Sequence, residues 1–97
     1  MSLTNPQQKY LRGLTHNLNP VVMVGDKGLT EAVLAEIESA LAHHELIKVK
    51  LRGERDDRQR WIQEITETTG AETVHGIGQV ASFYRRNPEK PRIALPA

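Results

Sequence analysis

The chain of 97 residues contains no cysteine, few aromatic side chains and no long hydrophobic run. The lack of cysteine excludes disulfides, thiolate metal sites and thiol catalysis. With an aromatic fraction of 4%, a core must rest on leucine, isoleucine and valine. No apolar segment approaches the length that crosses a bilayer, and the N-terminus lacks the apolar stretch of a signal peptide. We therefore expect one soluble, cytoplasmic domain over residues 1–97, with no membrane partner.

The sequence also lacks the residue patterns of common enzymes. Its serines are in no nucleophile-elbow context. His43 and His44 are adjacent, whereas two histidines that share a metal on a helix are four positions apart. There is neither a dinucleotide-binding fingerprint nor the Gly-Lys-Ser/Thr ending of a nucleotide P-loop. We expect a protein that is not an enzyme and that uses no cofactor or metal.

Charge is nearly balanced overall, at +1, but it is segregated along the chain. Segments 1–30, 46–60 and 85–97 are net positive, whereas 31–45 and 61–84 are net negative. A fold that gathers the positive segments would present a basic face, which is the electrostatic feature of a polyanion-binding surface. The alternative is an ordinary solvated surface on which the segments intermix.

Helical and strand patterns alternate from one end of the chain to the other. Helical spacing is found from a predicted cap at Asn5 to about residue 18, over 29–44, and from a predicted Asp56–Gln59 capping box to residue 69. Strand patterns are found at 21–24, 46–52, 72–75 and 80–84, and 92–95 could add a short edge strand. The order α-β-α-β-α-β-β predicts an α/β fold with a four-stranded mixed sheet packed with helices.

Two details of this fold follow from local composition. The run 21–24 is apolar on both faces, which is typical of an interior strand. Trp61 falls on the apolar stripe of its helix, so we assign it to the core. Phe83 and Tyr84 are also more consistent with core positions, although Tyr84 could instead stack on a base.

The segment Gly25-Asp26-Lys27-Gly28 is the most informative motif. It joins a β-branched run to a helical pattern. A helix N-terminus carries free N–H groups and positive partial charge, and it binds phosphate readily. Glycines would let a nucleic-acid backbone approach those N–H groups, and Lys27 adds a cation. The alternative is a tight turn whose glycines only allow positive φ.

A second signal is the alternation of residues 46–52. Lys48, Lys50 and Arg52 share the face opposite to the apolar residues. Alternate strand positions repeat at roughly 6.5–7 Å, so three cations in line could follow a nucleic-acid backbone by charge. Ordinary alternation, with lysine facing water, is the competing explanation. Further candidate cations are Arg58, near the start of the third helix, and Arg85 and Arg86 beside Tyr84.

Three segments together resemble a known family. They are Leu11-Arg12-Gly13-Leu14-Thr15-His16, the run from Pro20 to Glu31 that contains G-D-K-G-L-T-E, and the run His43–Lys50, H-H-E-L-I-K-V-K. This combination resembles the YhbY-like bacterial RNA-binding proteins of the CRM (chloroplast RNA splicing and ribosome maturation) family. The resemblance covers nearly the whole chain.

The resemblance implies a fold like the C-terminal domain of bacterial translation initiation factor three. It also implies RNA binding through the GxxG loop Gly25–Gly28 and through Lys48, Lys50 and Arg52. The implied partner is large-subunit rRNA in pre-ribosomal particles, bound without catalysis by a monomer during ribosome biogenesis. Two other functions stay open: a protein–protein adaptor that uses the acidic helix face, and a small phosphoryl-handling enzyme.

Overall fold

The structure is a computed structural model that describes residues 3–96. Its elements, in chain order, are α1 (Asn5–Thr15), β1 (Val22–Val24), α2 (Glu31–His44), β2 (Leu46–Leu51), α3 (Arg55–Thr69), β3 (Glu72–Ile77) and β4 (Val80–Tyr84). This confirms the predicted element order and the four-stranded mixed sheet. Residues 92–95 are irregular, so the additional edge strand was wrong.

The sheet has the strand order β1-β2-β4-β3, with β1 parallel to β2 and the remaining pairs antiparallel. The prediction of an interior strand at 21–24 was therefore wrong, because β1 lies at an edge. Val22 and Val24 are buried, whereas Val21 and Met23 are about half exposed. A run that is apolar on both faces does not distinguish an interior strand from an edge strand with an apolar outer face.

Helices cover the two faces of the sheet unequally. α2 and α3 pack on one face, where the core includes Ile37, Leu41, Trp61, Ile65 and Phe83. On the other face α1 contacts β2 and β3, and a second cluster forms from Leu11, Leu46, Val74 and Tyr84. Trp61, Phe83 and Tyr84 are all buried, which confirms their assignment to the core.

Two of the predicted helix caps differ from those in the structure. Thr4 caps α1 and forms a capping box with Gln7, so Asn5 is the first helical residue. Thr4 and Asn5 are both good caps, and sequence alone does not rank adjacent ones. Glu54 stands at the N-cap of α3 without a side-chain cap bond, so the Asp56–Gln59 capping box was also wrong.

The chain after β4 is held by a buried carboxylate. Glu45 is fully buried and takes a positive φ of 63° at the end of α2. Its carboxylate accepts backbone N–H bonds from Asn87 (2.7 Å), Arg92 (2.6 Å) and Ile93 (2.8 Å). Ile93 and Leu95 in turn pack on the α1 cluster. These long-range bonds, rather than an additional edge strand, hold the segment after β4.

Candidate nucleic-acid interface

Gly25–Gly28, which we call the glycine loop, connects the end of β1 to the approach of α2. The N–H of Gly28 donates to the carbonyl oxygen of Gly25 (2.9 Å), and this bond closes a turn. Helix α2 begins at Glu31, two residues later than the predicted start. Thr30 is its N-cap and accepts a hydrogen bond from the N–H of Val33 (3.2 Å).

Several backbone N–H groups at this turn have no hydrogen-bond partner among the described residues. Within residues 3–96, the N–H groups of Asp26, Lys27 and Leu29 donate no hydrogen bond, and neither do those of Glu31 and Ala32 in the first turn of α2. Such groups, next to a helix N-terminus, are the donors that anion sites use. The side chains of Asp26 and Lys27 are exposed, and neither forms an ion pair in the described part of the chain.

The two glycines of the loop have different structural roles. Gly28 has a φ of 73°, which most side chains adopt only under strain. Gly25 has no positive φ, and a β-carbon placed there would meet nothing within 4 Å. Gly28 is therefore required by the turn itself. The fold gives no reason for a glycine at position 25, whereas close approach of a ligand backbone would give one.

The indole of Trp61 lies between the glycine loop and the turn that follows β2. A β-carbon at Gly28 would lie 3.7 Å from Nε1 of Trp61, which is ordinary contact. A β-carbon at Gly53 would lie 2.6 Å from Cη2 of the same ring, so the indole occupies the space that glycine leaves there. The ring is thus adjacent to both turns.

The basic strand, Lys48, Lys50 and Arg52, lies beside the glycine loop. Lys48 and Lys50 are on the sheet face opposite to the α2–α3 core, because Val49 and Leu51 belong to that core. The N–H of Arg52 donates to the carbonyl oxygen of Val24 (2.9 Å), one residue before the loop. The fold therefore brings the two strongest sequence signals together at one end of the sheet.

The remaining predicted cations are placed differently. Nη1 of Arg58 donates to the carbonyl oxygen of Gly53 (2.7 Å), so Arg58 supports the turn after β2. Nη1 of Arg85 donates to the carbonyl oxygen of Thr69 (2.9 Å) and pairs with Glu38. Arg86 is exposed.

Arg85 and Arg86 lie far from the glycine loop. They follow Tyr84, which pairs with Leu46 at the opposite end of β2 from Leu51. Five strand steps separate these ends, roughly 17 Å. The structure therefore does not bring Arg85 and Arg86 together with the loop and the basic strand.

Tyr84 is not available to stack on a base. It is buried under α1, and burial together with the nearby Glu45 carboxylate raises the pKa of its phenol. Sequence reasoning also missed a set of exposed apolar residues on the face of the basic strand. Met23 and Ile77 are its most exposed members. Alternation places Met23 opposite to the buried Val22 and Val24, but only the structure shows that Met23 is about half exposed on that face.

Neither a metal-binding cluster nor a membrane-spanning helix is present among the described residues. No group of His, Asp or Glu side chains within residues 3–96 has the arrangement of a metal site. None of the helices in that range is long and apolar enough to span a membrane.

Comparison with known proteins gives consistent results. A Haemophilus influenzae protein named "RNA-binding protein" is 51% identical over 96 residues, which cover 98% of this chain and 96% of that protein. A Pseudomonas aeruginosa protein named "probable RNA-binding protein" is 48% identical and covers 92% of this chain and 86% of its own length. The solution structure of a hypothetical protein from Staphylococcus aureus superposes with a TM-score of 0.83. It is 35% identical, and the match covers 98% of this chain and all of that one.

The family model of the CRS1/YhbY (CRM) domain matches residues 3–85. This range contains all seven elements of the fold, the glycine loop and the basic strand. The chain belongs to the CRS1/YhbY (CRM) domain family.

Proposed function

We propose that this protein binds RNA without catalysis, through the glycine loop and the basic strand, and that its RNA is rRNA of precursors to the large ribosomal subunit in the cytoplasm. The observation that carries the proposal is the geometry at Gly25. Free N–H groups surround a glycine that the fold itself does not require. A phosphate is the ligand that such a position admits, because a β-carbon would hold it away from the N–H groups.

The surrounding charges support the same ligand. Lys27, Lys50 and Arg52 are exposed, and none is paired with a carboxylate in residues 3–96. Unpaired cations that neutralise phosphates release condensed counterions, and this release favours binding to a polyanion. Two relatives that cover nearly the whole chain are named for RNA binding. The ribosomal part of the proposal rests on the family resemblance.

The first experiment measures RNA binding and the fold separately. Fluorescence anisotropy with a labelled single-stranded RNA would compare the wild type with Gly25→Val, while circular dichroism follows thermal unfolding. We expect Gly25→Val to weaken binding about tenfold or more at unchanged melting temperature. Gly13→Val is the matched control, because a β-carbon at Gly13 in α1 also meets nothing within 4 Å. Equal RNA affinity of a folded Gly25→Val and the wild type would contradict loop binding.

The ribosomal part needs a cellular experiment. Cell extracts would be separated on sucrose gradients, and the protein would be crosslinked to RNA and the bound RNA sequenced. We expect co-sedimentation with precursors of the large subunit and crosslinks to its rRNA, both reduced by Gly25→Val. Sedimentation that persists without RNA crosslinks would instead favour the adaptor function, in which the acidic α2 face contacts a protein.

A further inference from the structure

The sheet face that carries the basic strand is only partly covered by α1. The helix packs over the end that holds Leu46, Val74 and Tyr84. The other end stays open, and cross-strand pairing defines two rows of residues on it. Met23 pairs with Lys50, Lys50 with Val80, and Val80 with Ile77. This first row crosses all four strands, about 14 Å at the usual strand spacing.

The second row runs parallel to the first. Lys48 pairs with Ser82, and Ser82 with His75. At the edge, the N–H of Val21 donates to the carbonyl oxygen of Lys48 (2.9 Å). We call the two rows together the open sheet face.

The open sheet face combines apolar and cationic side chains. Met23 is 52% exposed, Ile77 64% and Val21 51%, which is unusual for three large apolar residues in one small sheet. Lys48 and Lys50 stand between them, and no residue of the two rows, all within the described range, carries a carboxylate. A protein-docking patch is typically depleted of lysine at its centre. Here a lysine lies between the apolar ends of the first row.

We infer that the open sheet face holds unpaired bases of a single-stranded RNA whose phosphates contact Lys48, Lys50 and the glycine loop. This inference rests on the proposed function and specifies the class of RNA. In a duplex the base faces are stacked on one another, so only sugars and phosphates could reach Met23 and Ile77. In a single strand the faces are free to pack on apolar side chains.

The open sheet face adjoins the glycine loop, which supports single-stranded RNA as the ligand of both. The first row ends at Met23, two residues before Gly25, and Arg52 follows Lys50 by two residues. At the other end Val21 and Lys48 also line a groove of about 510 Å³ beside Leu14, Leu18 and Ile93. A backbone that follows Lys50 and Lys48 would thus have apolar surface beside it along its whole path.

The test uses variants that remove apolar contact but keep the charge. Met23→Gln is close in volume, and Ile77→Thr keeps the β-branching that suits a strand while it shortens the side chain and replaces apolar atoms with a hydroxyl. Anisotropy would measure the binding of the double variant to a labelled single-stranded RNA and to the same strand annealed to its complement. Tyr10→Ser is the control, because Tyr10 is a 44% exposed apolar residue on α1.

The wild type should bind the single strand more tightly than the duplex. The double variant should bind the single strand about tenfold more weakly, at an unchanged salt dependence, and Tyr10→Ser should not. Unchanged single-strand affinity in the double variant would overturn the inference, and so would an equal loss in Tyr10→Ser. Unchanged single-strand affinity in the double variant is also the result expected if Met23 and Ile77 bound a protein instead of RNA. Absence of any RNA binding by the wild type would instead overturn the proposed function.

Discussion

Replacing Lys48, Lys50 and Arg52 together by glutamine should change how RNA binding depends on salt. Lys50 and Arg52 are exposed and Lys48 is half-buried, and none of the three has an ion-pair partner in residues 3–96. Each phosphate contact on a single strand contributes about −0.7 to the slope of log K against log salt concentration. Three lost contacts should therefore flatten the slope by up to about 2 units.

This slope translates into a measurable difference in affinity. From about 50 mM to about 200 mM salt, the wild-type affinity should fall by roughly 20-fold more than that of the triple variant. The assay is a series of RNA titrations at increasing salt concentration. The core should be unaffected, because the side chains lie on the opposite face from Ile47, Val49 and Leu51, and a melting curve would check this.

The matched control removes the same charge from the opposite end of the sheet. Arg86, Lys90 and Arg92 are exposed and follow β4, so changing them to glutamine lowers the net charge equally. We expect this variant to keep nearly the wild-type slope. If the control flattens the slope and the Lys48/Lys50/Arg52 variant does not, the basic strand is ordinary solvated surface and RNA is held near Arg86.

Four shorter predictions concern single residues. Gly28→Val should lower the melting temperature as well as RNA affinity, because its φ of 73° strains a β-branched residue, whereas Gly25→Val should lower affinity alone. Asp26→Asn should tighten RNA binding, most strongly at low salt, because the substitution removes an exposed carboxylate from the proposed phosphate site. Equal or weaker RNA affinity in a titration would show that Asp26 points away from the RNA. Glu45→Gln should lower the free energy of unfolding by about 2 kcal/mol, because three backbone N–H groups lose a carboxylate acceptor. This corresponds to a melting temperature lower by roughly 10 °C, and an unchanged melting curve would contradict the prediction. Because the pKa of Tyr84 is raised in the folded state, unfolding at high pH releases the phenol proton. The stability of the wild type relative to Tyr84→Phe should therefore fall as pH rises above about 10, and denaturant titrations would measure it. A stability difference that does not change with pH would contradict the raised pKa of Tyr84.

Most helices and strands could be predicted from the sequence because the spacing of apolar residues within each segment depends only on that segment's own geometry. The alternation of residues 46–52 and the helical spacing of α2 and α3 both follow from which side chains must leave water. The turn at Gly25–Gly28 could be predicted because glycine permits backbone angles, such as the φ of 73° at Gly28, that other residues adopt only under strain. Errors arose where two local solutions are equally good, as with Thr4 and Asn5 at the first cap.

What the sequence could not predict depends on distant partners. Glu45 carries no local sign of burial, and its three donors are 42 to 48 positions further along the chain. Arg58 and Arg85 are residue types that often contact RNA, but in the folded protein their guanidinium groups donate hydrogen bonds to backbone carbonyl oxygens. Likewise, only the strand order shows that Met23 and Ile77, at opposite edges of the sheet, belong to one exposed row.

The position of Trp61 has a practical consequence for all these measurements. It is the only tryptophan of the chain, and its indole lies beside both Gly28 in the glycine loop and Gly53 after the basic strand. Indole emission responds to small changes in its surroundings, so the unlabelled protein carries a fluorophore next to the glycine loop. A spectral change on adding RNA, absent in Gly25→Val but present in Gly13→Val, would report occupancy of the loop without any attached dye.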